Sequence, residues 1–262
     1  MAHPNGLFGW IDLTTTDVEA ARAFYSELFG WTSEDMPTPM GPAYTMCFLD
    51  GKVVAGMAPQ PPGMAAAGMP SMWNSYVLVD DIDEVTARVA PAGGAVVMPT
   101  MDVMTQGRMA MVADPGGAVV GLWQPGDHHG ADVFNVAGSL TWNELTTRDL
   151  DGALPFYEAV FGWRWEESDQ PGYHVAMIDA KAGDDKSNGG AMAMPDTVPA
   201  EVPNYWSAYI AVDDLDASVA RAAASGGAVF LDAMEAGPGR FAGITDPTGG
   251  MIMLIQFATP PA

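Results

Sequence analysis

Hydrophobic and polar positions near the start of the chain predict a short series of elements: a strand, a helix and three more strands. Residues 8–14 are predicted to form the first strand and residues 17–29 the helix. Within the helix, Ala20, Phe24 and Leu28 place apolar side chains at helical spacing. The three strands that follow are predicted near 32–37, 43–49 and 53–58.

The same series follows in the next stretch of sequence. A strand is predicted at 73–79 and a helix at 82–92, which the glycine pair 93–94 ends. The turn "DPGG" joins the last two strands, with Pro and Gly where turn geometry requires them. In the earlier series, Thr16 and Glu19 at the start of the helix predicted at 17–29 resemble a capping box. The later strands of this series are predicted near 95–101, 108–113 and 118–124.

The second part of the chain repeats the first. We therefore predict two homologous units, residues 1–125 and 139–262, joined by a linker at 126–138. Each unit contains two βαβββ modules, so the predicted fold class is α+β. The repeats are "RAFYSELFGW" with "LPFYEAVFGW", "WNSYVLVDDID" with "WSAYIAVDDLD", and "GRMAMVADPGGAVVGLWQ" with "GRFAGITDPTGGMIMLIQ".

These motifs resemble those of the vicinal oxygen chelate superfamily, which includes glyoxalase I, bleomycin-resistance proteins and extradiol dioxygenases. The resemblance is carried by "FY…FGW" after a helix-opening Asp, by the "VDD" junction and by "GR…DP" before the last strand. It covers nearly the whole chain and is strongest toward two-unit actinobacterial members described as hydroxylase- or glyoxalase-like. It implies that each unit curls a mixed sheet around a cleft and holds ligands on the concave face.

The resemblance also implies where a metal would be bound. Metal-using relatives place His, Glu or Gln at four strand positions in each cleft. None of the residues at the matching positions is a usual ligand of a divalent first-row metal. We therefore expect no metal and no cofactor. The positions are Trp10, Asn74, Gly121 and a residue near Gly56, then Trp142, Ser207, Met253 and a residue near Ala191.

The net charge of the chain limits the kinds of partner that it is expected to bind. The chain has 33 acidic and 10 basic residues, a net charge of −23. Phosphate backbones and anionic membranes should repel it, so we expect no nucleic acid and no membrane partner. A single cysteine, Cys47, rules out an internal disulfide framework. With no secretory signal at its start and no run of about 20 apolar residues, the chain is expected to be cytoplasmic, as a monomer or homodimer.

Two short rows carry the candidate chemistry. Trp10, Asp12 and Thr14 alternate with Ile11 and Leu13, so the three should share one strand face. An aromatic plate beside a carboxylate would suit a small apolar or aromatic ligand. In the alternative interpretation, the Trp only fills the space of a lost metal and the acid bonds to backbone or Arg. The matching row is Trp142, Glu144 and Thr146.

Asp12 and Glu144 are the candidate catalytic acids or bases, with His174 as a further candidate on a strand. The first row is favoured slightly, because its surroundings are richer in Met. His128 and His129 are expected to be a solvated linker pair. Arg108 and Arg240 are expected to lie near a cleft mouth, where pairing with Asp102 and Glu235 is favoured over ligand binding. Further candidate wall residues are Tyr44, Met57, Asn74, Tyr76, Met101, Tyr173, Ser207 and Tyr209.

Three functions remain open from the sequence. The first is a metal-independent enzyme in which Asp12 or Glu144 transfers a proton on a small, largely apolar metabolite. The second is a protein that binds such a metabolite without turnover, as bleomycin-resistance proteins do. The third is an accessory protein to a biosynthetic oxygenase. The first two imply a small-molecule ligand, and the sequence has no signature for the third.

Overall fold

The structure is a computed structural model that describes residues 3–39, 41–179, 181 and 185–259. It confirms the α+β class and the repeated order of elements. The first half of the chain forms β1(Phe8–Thr15), α1(Val18–Phe29), β2(Thr32–Met36), β3(Tyr44–Leu49), β4(Lys52–Pro59), α2(Pro62–Ala66), β5(Met72–Leu78), α3(Ile82–Val89), β6(Ala95–Val103), β7(Gly107–Ala113) and β8(Val119–Pro125).

The second half repeats this order without an equivalent of the short helix α2 among the described residues. It forms β9(Leu140–Thr147), α4(Leu150–Phe161), β10(Arg164–Glu167), β11(Tyr173–Met177), β12(Ser187–Ala193), β13(Tyr205–Ala211), α5(Leu215–Ala224), β14(Ala228–Ala236), β15(Gly239–Thr245) and β16(Met251–Phe257).

Each half forms one eight-stranded mixed sheet. The order is β2-β3-β4-β1-β5-β8-β7-β6 in the first sheet and β10-β11-β12-β9-β13-β16-β15-β14 in the second. β1 pairs parallel with β4, and β9 pairs parallel with β12, in the same register. The four modules are therefore β1–β4, β5–β8, β9–β12 and β13–β16, numbered 1 to 4 below.

The first helix is capped differently from the sequence prediction. Asp17, not Thr16, is the N-cap, because its carboxylate accepts the main-chain N–H of Ala20 at 3.0 Å. At the other end Gly30 takes a left-handed conformation (φ 73°), as a C-terminal glycine commonly does. Within the described part of the chain, no helix is long and apolar enough to cross a membrane.

The modules pack in pairs that differ from the sequence halves. One compact unit comprises Met1–Trp10, Ser75–Gly130 and Trp142–Ser207, so it combines most of modules 2 and 3. We call it the 2/3 unit. The other, the 1/4 unit, comprises Ile11–Asn74, Ala131–Thr141 and Ala208–Ala262. The division into units at residues 1–125 and 139–262, joined by a linker at 126–138, stays a prediction.

A buried hydrogen-bonded triad lies in the core of the 1/4 unit. The indole N–H of Trp73 donates to the hydroxyl of Tyr25 at 2.9 Å, and that hydroxyl donates to Oδ2 of Asp246 at 3.0 Å. Tyr25 comes from α1 of module 1, and Asp246 from a turn of module 4. Asp246 also accepts main-chain N–H groups of its own turn through Oδ1. The triad therefore ties a helix of one module to a turn of the other.

The 2/3 unit contains an equivalent triad. Trp206 donates to Tyr157 at 2.7 Å, and Tyr157 donates to Oδ2 of Asp114 at 3.1 Å. Burial raises the pKa of Tyr157 and also that of Asp114. The repeated "FY" and "DP" motifs therefore form one recurring contact, which joins modules 2 and 3 as it joins modules 1 and 4.

Removing the central hydroxyl should destabilise the 1/4 unit. In Tyr25→Phe the ring remains, while Trp73 and Asp246 each lose a buried partner. We expect a loss of about 1–3 kcal/mol in the free energy of unfolding, measured by urea denaturation. Tyr157→Phe should cost a similar amount, as the matched change in the other unit. A loss below about 0.3 kcal/mol in both variants would show that the triads are dispensable.

The buried Cys47 should be unreactive in the folded chain. Burial raises its pKa to about 12, so the thiol stays neutral near pH 8. This contribution to stability is complete below the unfolded pKa near 9 and is lost as pH rises toward 12. Thiol labelling at pH 8 should be slow in buffer and fast in denaturant. Rapid labelling of folded protein would contradict the buried position.

Candidate functional site

Side chains of β1 alternate between the two faces of the first sheet, as the sequence predicts. Ile11 and Leu13 are fully buried in the core of the 1/4 unit with residues of α1. Asp12, between them, is the register partner of Gly56 on β4. We call the side away from the helices the far face of the sheet. Asp12 therefore points to the far face.

A polar cluster surrounds Asp12 in the 1/4 unit. The amide Nδ2 of Asn74 donates to Oδ1 of Asp12 and to Oγ1 of Thr14, both at 2.9 Å. The hydroxyl of Tyr44 donates to Oδ2 of Asp12 at 3.3 Å. Both oxygens of Asp12 thus accept hydrogen bonds, and the residue is only 9% exposed. We call these four residues the first cluster; its acid is held in place and largely enclosed.

The position of Tyr44 depends on a glycine. A Cβ atom added to Gly56 would lie 2.0 Å from the Tyr44 hydroxyl. The phenol therefore lies directly over Gly56, where only a residue without a side chain fits. This contact places the hydroxyl beside Asp12, since Gly56 and Asp12 are register partners.

A second cluster of different composition lies in the 2/3 unit. The indole N–H of Trp142 on β9 donates to the hydroxyl of Tyr173 on β11 at 2.8 Å. Tyr173 is in turn hydrogen-bonded to the carboxylate of Glu144. Burial first, and then the charge of Glu144, raise the pKa of Tyr173 above its usual value. The phenol of this second cluster therefore stays protonated at neutral pH.

The second cluster contains the same contact between a tyrosine hydroxyl and a glycine. A Cβ atom on Gly190 would lie 2.0 Å from the Tyr173 hydroxyl, and Gly190 is the register partner of Glu144. The sequence placed the equivalent position near Ala191. That residue is instead fully buried in the core of the 2/3 unit. Gly190, one position earlier, is the residue on the far face.

The two tryptophans of the repeated motif differ in exposure. Trp10 is 3% exposed, and the ring of His128 packs on it edge-on at 4.4 Å between centroids. His128 also contacts the ring of Trp123, which donates to the His128 carbonyl at 2.9 Å. The expectation of a solvated pair was therefore wrong for His128, although His129 is exposed. The linker histidine covers Trp10.

The exposure of the side chains favours the second cluster as the ligand site. The sequence, in contrast, slightly favours the first row. Trp142 and Glu144 are both half-buried, whereas Trp10 and Asp12 are buried. Ser207 occupies the position that Asn74 has in the first half. Its one hydroxyl cannot donate to two acceptors at once, as the Asn74 amide does. The second cluster is thus the more open of the two.

Two predicted site residues point away from the far face. Met57 is 1% exposed in the core of the 1/4 unit, because it adjoins Gly56 on β4 and alternation turns it toward the helix. His174 is the register partner of the core residue Ala191. It therefore faces the opposite way from its neighbour Tyr173. Neither residue joins a cluster.

The matched arginines are held by acids near the starts of helices. Arg108 pairs with Asp83 on α3 at 2.8 and 3.1 Å, and its Nε lies 3.2 Å from Asp102. Arg240 pairs with Asp216 on α5, with both distances 2.9 Å. The main partner in each case is thus a helix residue that the sequence reasoning missed. These ion pairs occupy both guanidinium groups, and ligand binding by the two arginines stays a prediction.

The other predicted wall residues divide between the two units. Tyr76, in the 2/3 unit, is buried with its ring over Gly121, where a Cβ atom would lie 2.2 Å from it. Met101 on β6 is exposed and opposite Met109. In the 1/4 unit, Tyr209 is the register partner of Met253 and is buried. The last predicted residue, Thr146, is buried on β9 in the 2/3 unit.

The residues at the implied metal positions do not suit a divalent ion. Tyrosine rings occupy the space over Gly56, Gly121 and Gly190, so no ligating side chain fits there. Trp10 and Trp142 offer only an N–H donor. Among the residues that the structure describes, no three His, Cys, Asp or Glu side chains gather in a metal-binding group. We therefore derive no step through a metal.

Comparison with known proteins identifies the family of the chain. The model of the Glyoxalase/Bleomycin resistance protein/Dioxygenase superfamily matches residues 7–122, and that of the Glyoxalase-like domain matches residues 142–255. The chain belongs to this superfamily. Among its relatives, "Putative glyoxylase CFP32" of Mycobacterium tuberculosis is 46% identical over 254 residues, covering 96% of this chain and 95% of the relative. "Anthracycline biosynthesis protein DnrV" of Streptomyces peucetius is 36% identical, covering 96% and 93%.

Solved structures confirm the fold of this glyoxalase-superfamily chain. The Mn(II)-bound glyoxalase from Novosphingobium aromaticivorans has a TM-score of 0.65 at 13% identity, covering 98% of this chain and 86% of that one. The 2,3-dioxygenase LapB from Pseudomonas sp. KL28 has a TM-score of 0.65 at 10% identity, covering 99% and 96%. At these identities the likeness extends to the fold alone.

Purified protein is expected to hold no tightly bound Zn, Ni, Fe or Mn, because of the residues at the implied ligand positions. Elemental analysis after dialysis checks this, both directly and after incubation with Mn(II) followed by a second dialysis. About one metal ion per chain in either sample would contradict the expectation.

Proposed function

We propose that the chain is a metal-independent enzyme that transfers a proton on a small, planar, largely apolar metabolite at the second cluster. The hydrogen-bonded series from Trp142 through Tyr173 to Glu144 is the observation that supports this most strongly. It places a partly exposed carboxylate beside an indole plate and fixes it by a phenol that stays protonated. A relative named for anthracycline biosynthesis supports a planar aromatic ligand.

In this mechanism Glu144 is the base. The ligand stacks on Trp142, and an oxygen of Glu144 takes a proton from a carbon or oxygen of the ligand. The same carboxyl group then returns the proton to another atom of the ligand. The net change is an isomerisation or, when a leaving group departs, an elimination or ring opening. Tyr173 donates its hydrogen bond throughout and holds the carboxylate in position.

Binding without turnover is the second candidate. The half-buried Trp142 would supply affinity for a planar ligand in either case. A sequestering protein would use Glu144 only as a hydrogen-bond acceptor. An accessory role beside a biosynthetic oxygenase stays a prediction from the sequence.

Deuterium exchange separates these candidates. Ligand released from freshly purified protein, and identified by mass spectrometry, is returned to the protein in D2O. The parent should catalyse incorporation of deuterium into the ligand. Glu144→Gln should abolish incorporation while the ligand still quenches tryptophan fluorescence. Asp12→Asn, the matched change in the first cluster, should retain it.

Two outcomes contradict the enzyme proposal. Incorporation that persists in Glu144→Gln would show that this carboxylate is not the base. Binding with no incorporation in the parent would favour sequestration. In either case Trp142→Ala should weaken binding about tenfold or more, since it removes both stacking and apolar area. Unchanged affinity in Trp142→Ala would place the ligand elsewhere.

A further inference from the structure

The second cluster has a fixed hydrogen-bond polarity. An indole N–H can only donate, so the hydroxyl of Tyr173 must accept from Trp142. Its single hydrogen is then directed to Glu144, with which it is hydrogen-bonded. Donation therefore runs in one direction and ends at the carboxylate. A ligand that meets Glu144 finds an acceptor.

The arginine and lysine side chains of module 3 are held by other groups. An anionic ligand that recruited one of them would have to displace its present partner, and each exchange would break an ion pair or hydrogen bond. Arg148 donates to the carbonyls of Pro199 and Val202, Arg164 pairs with Glu166 and Asp179, Lys181 pairs with Asp185, and Lys186 donates to the carbonyl of Asp179.

The net charge of the chain also favours a cationic ligand over an anionic one. The chain carries a net charge of −23, which repels anions and raises the local concentration of cations. The half-buried indole of Trp142 adds a surface that attracts a cation through its ring quadrupole. Local hydrogen bonding, the engaged basic residues and net charge are independent observations, and all three favour the same ligand charge.

We propose that the second cluster selects its ligand by charge and hydrogen-bond polarity. It takes a planar ligand that donates a hydrogen bond, an ammonium group best and a phenol next, and it rejects the corresponding carboxylate. This inference rests on the proposed function only for the location of the ligand. It requires that the ligand binds at the cluster, but it does not depend on turnover.

Three probes of the same ring system test the order. They are 2-naphthylmethylamine, 2-naphthol and 2-naphthoate, titrated into the full-length protein by calorimetry at pH 7. The amine should bind most tightly and the carboxylate most weakly. The spread between them should shrink as salt is added, because part of it comes from long-range charge.

Isosteric variants test whether the preference for the amine arises at the second cluster. Glu144→Gln keeps the shape and removes the charge, so the amine should lose about tenfold or more in affinity, as expected for a charge-assisted hydrogen bond. Naphthoate should not weaken. Tyr173→Phe keeps the ring over Gly190 but removes the hydroxyl that holds Glu144, so the amine preference should fall partly. Asp12→Asn should leave the order unchanged, and circular dichroism should verify that each variant is folded.

Several results would overturn the proposal. These are naphthoate binding the parent as tightly as the amine, an amine preference that survives Glu144→Gln, an amine preference lost in Asp12→Asn instead, and no binding of any probe up to millimolar concentration. Absence of deuterium exchange, with the charge order intact, would reject the enzyme proposal alone. The two proposals therefore fail by different measurements.

Discussion

A buried tyrosine hydroxyl, held between an indole N–H and a turn carboxylate, organises each compact unit. Tyr25 and Tyr157 are fully buried, and each links a helix of one module to the turn of another. Because an unsatisfied group at such depth is costly, both partners must be present together. The same contact therefore ties module 1 to module 4 and module 3 to module 2. Each of these units also contains one of the two polar clusters.

Much of the fold follows from local patterns in the sequence. Strand alternation correctly separates Ile11 and Leu13 from Asp12, and the repeated motifs identify the modules. Module pairing does not follow, since no local signal distinguishes a partner next in sequence from one at the far end of the chain. The repeated Tyr of "FY" and Asp of "DP" contain that information, but only their contact shows it.

The errors in the predicted site have simple physical causes. Met57 and His174 lie on the correct strands, but a shift of one residue turns a side chain to the other face. His128 was missed because a linker has no periodicity from which its contact with Trp10 could be inferred. The difference between the clusters also depends on burial, which two nearly identical motifs do not reveal.

The contact between Tyr173 and Gly190 couples the evolution of the two positions. Any side chain introduced at Gly190 collides with the phenol, so the first step toward a metal-binding residue there displaces the tyrosine that holds Glu144. Loss of Tyr173 alone leaves an open space above a bare glycine. The two positions should therefore change together or remain fixed together. Any route from this pair to a metal-binding side chain at position 190 therefore has to move or replace Tyr173.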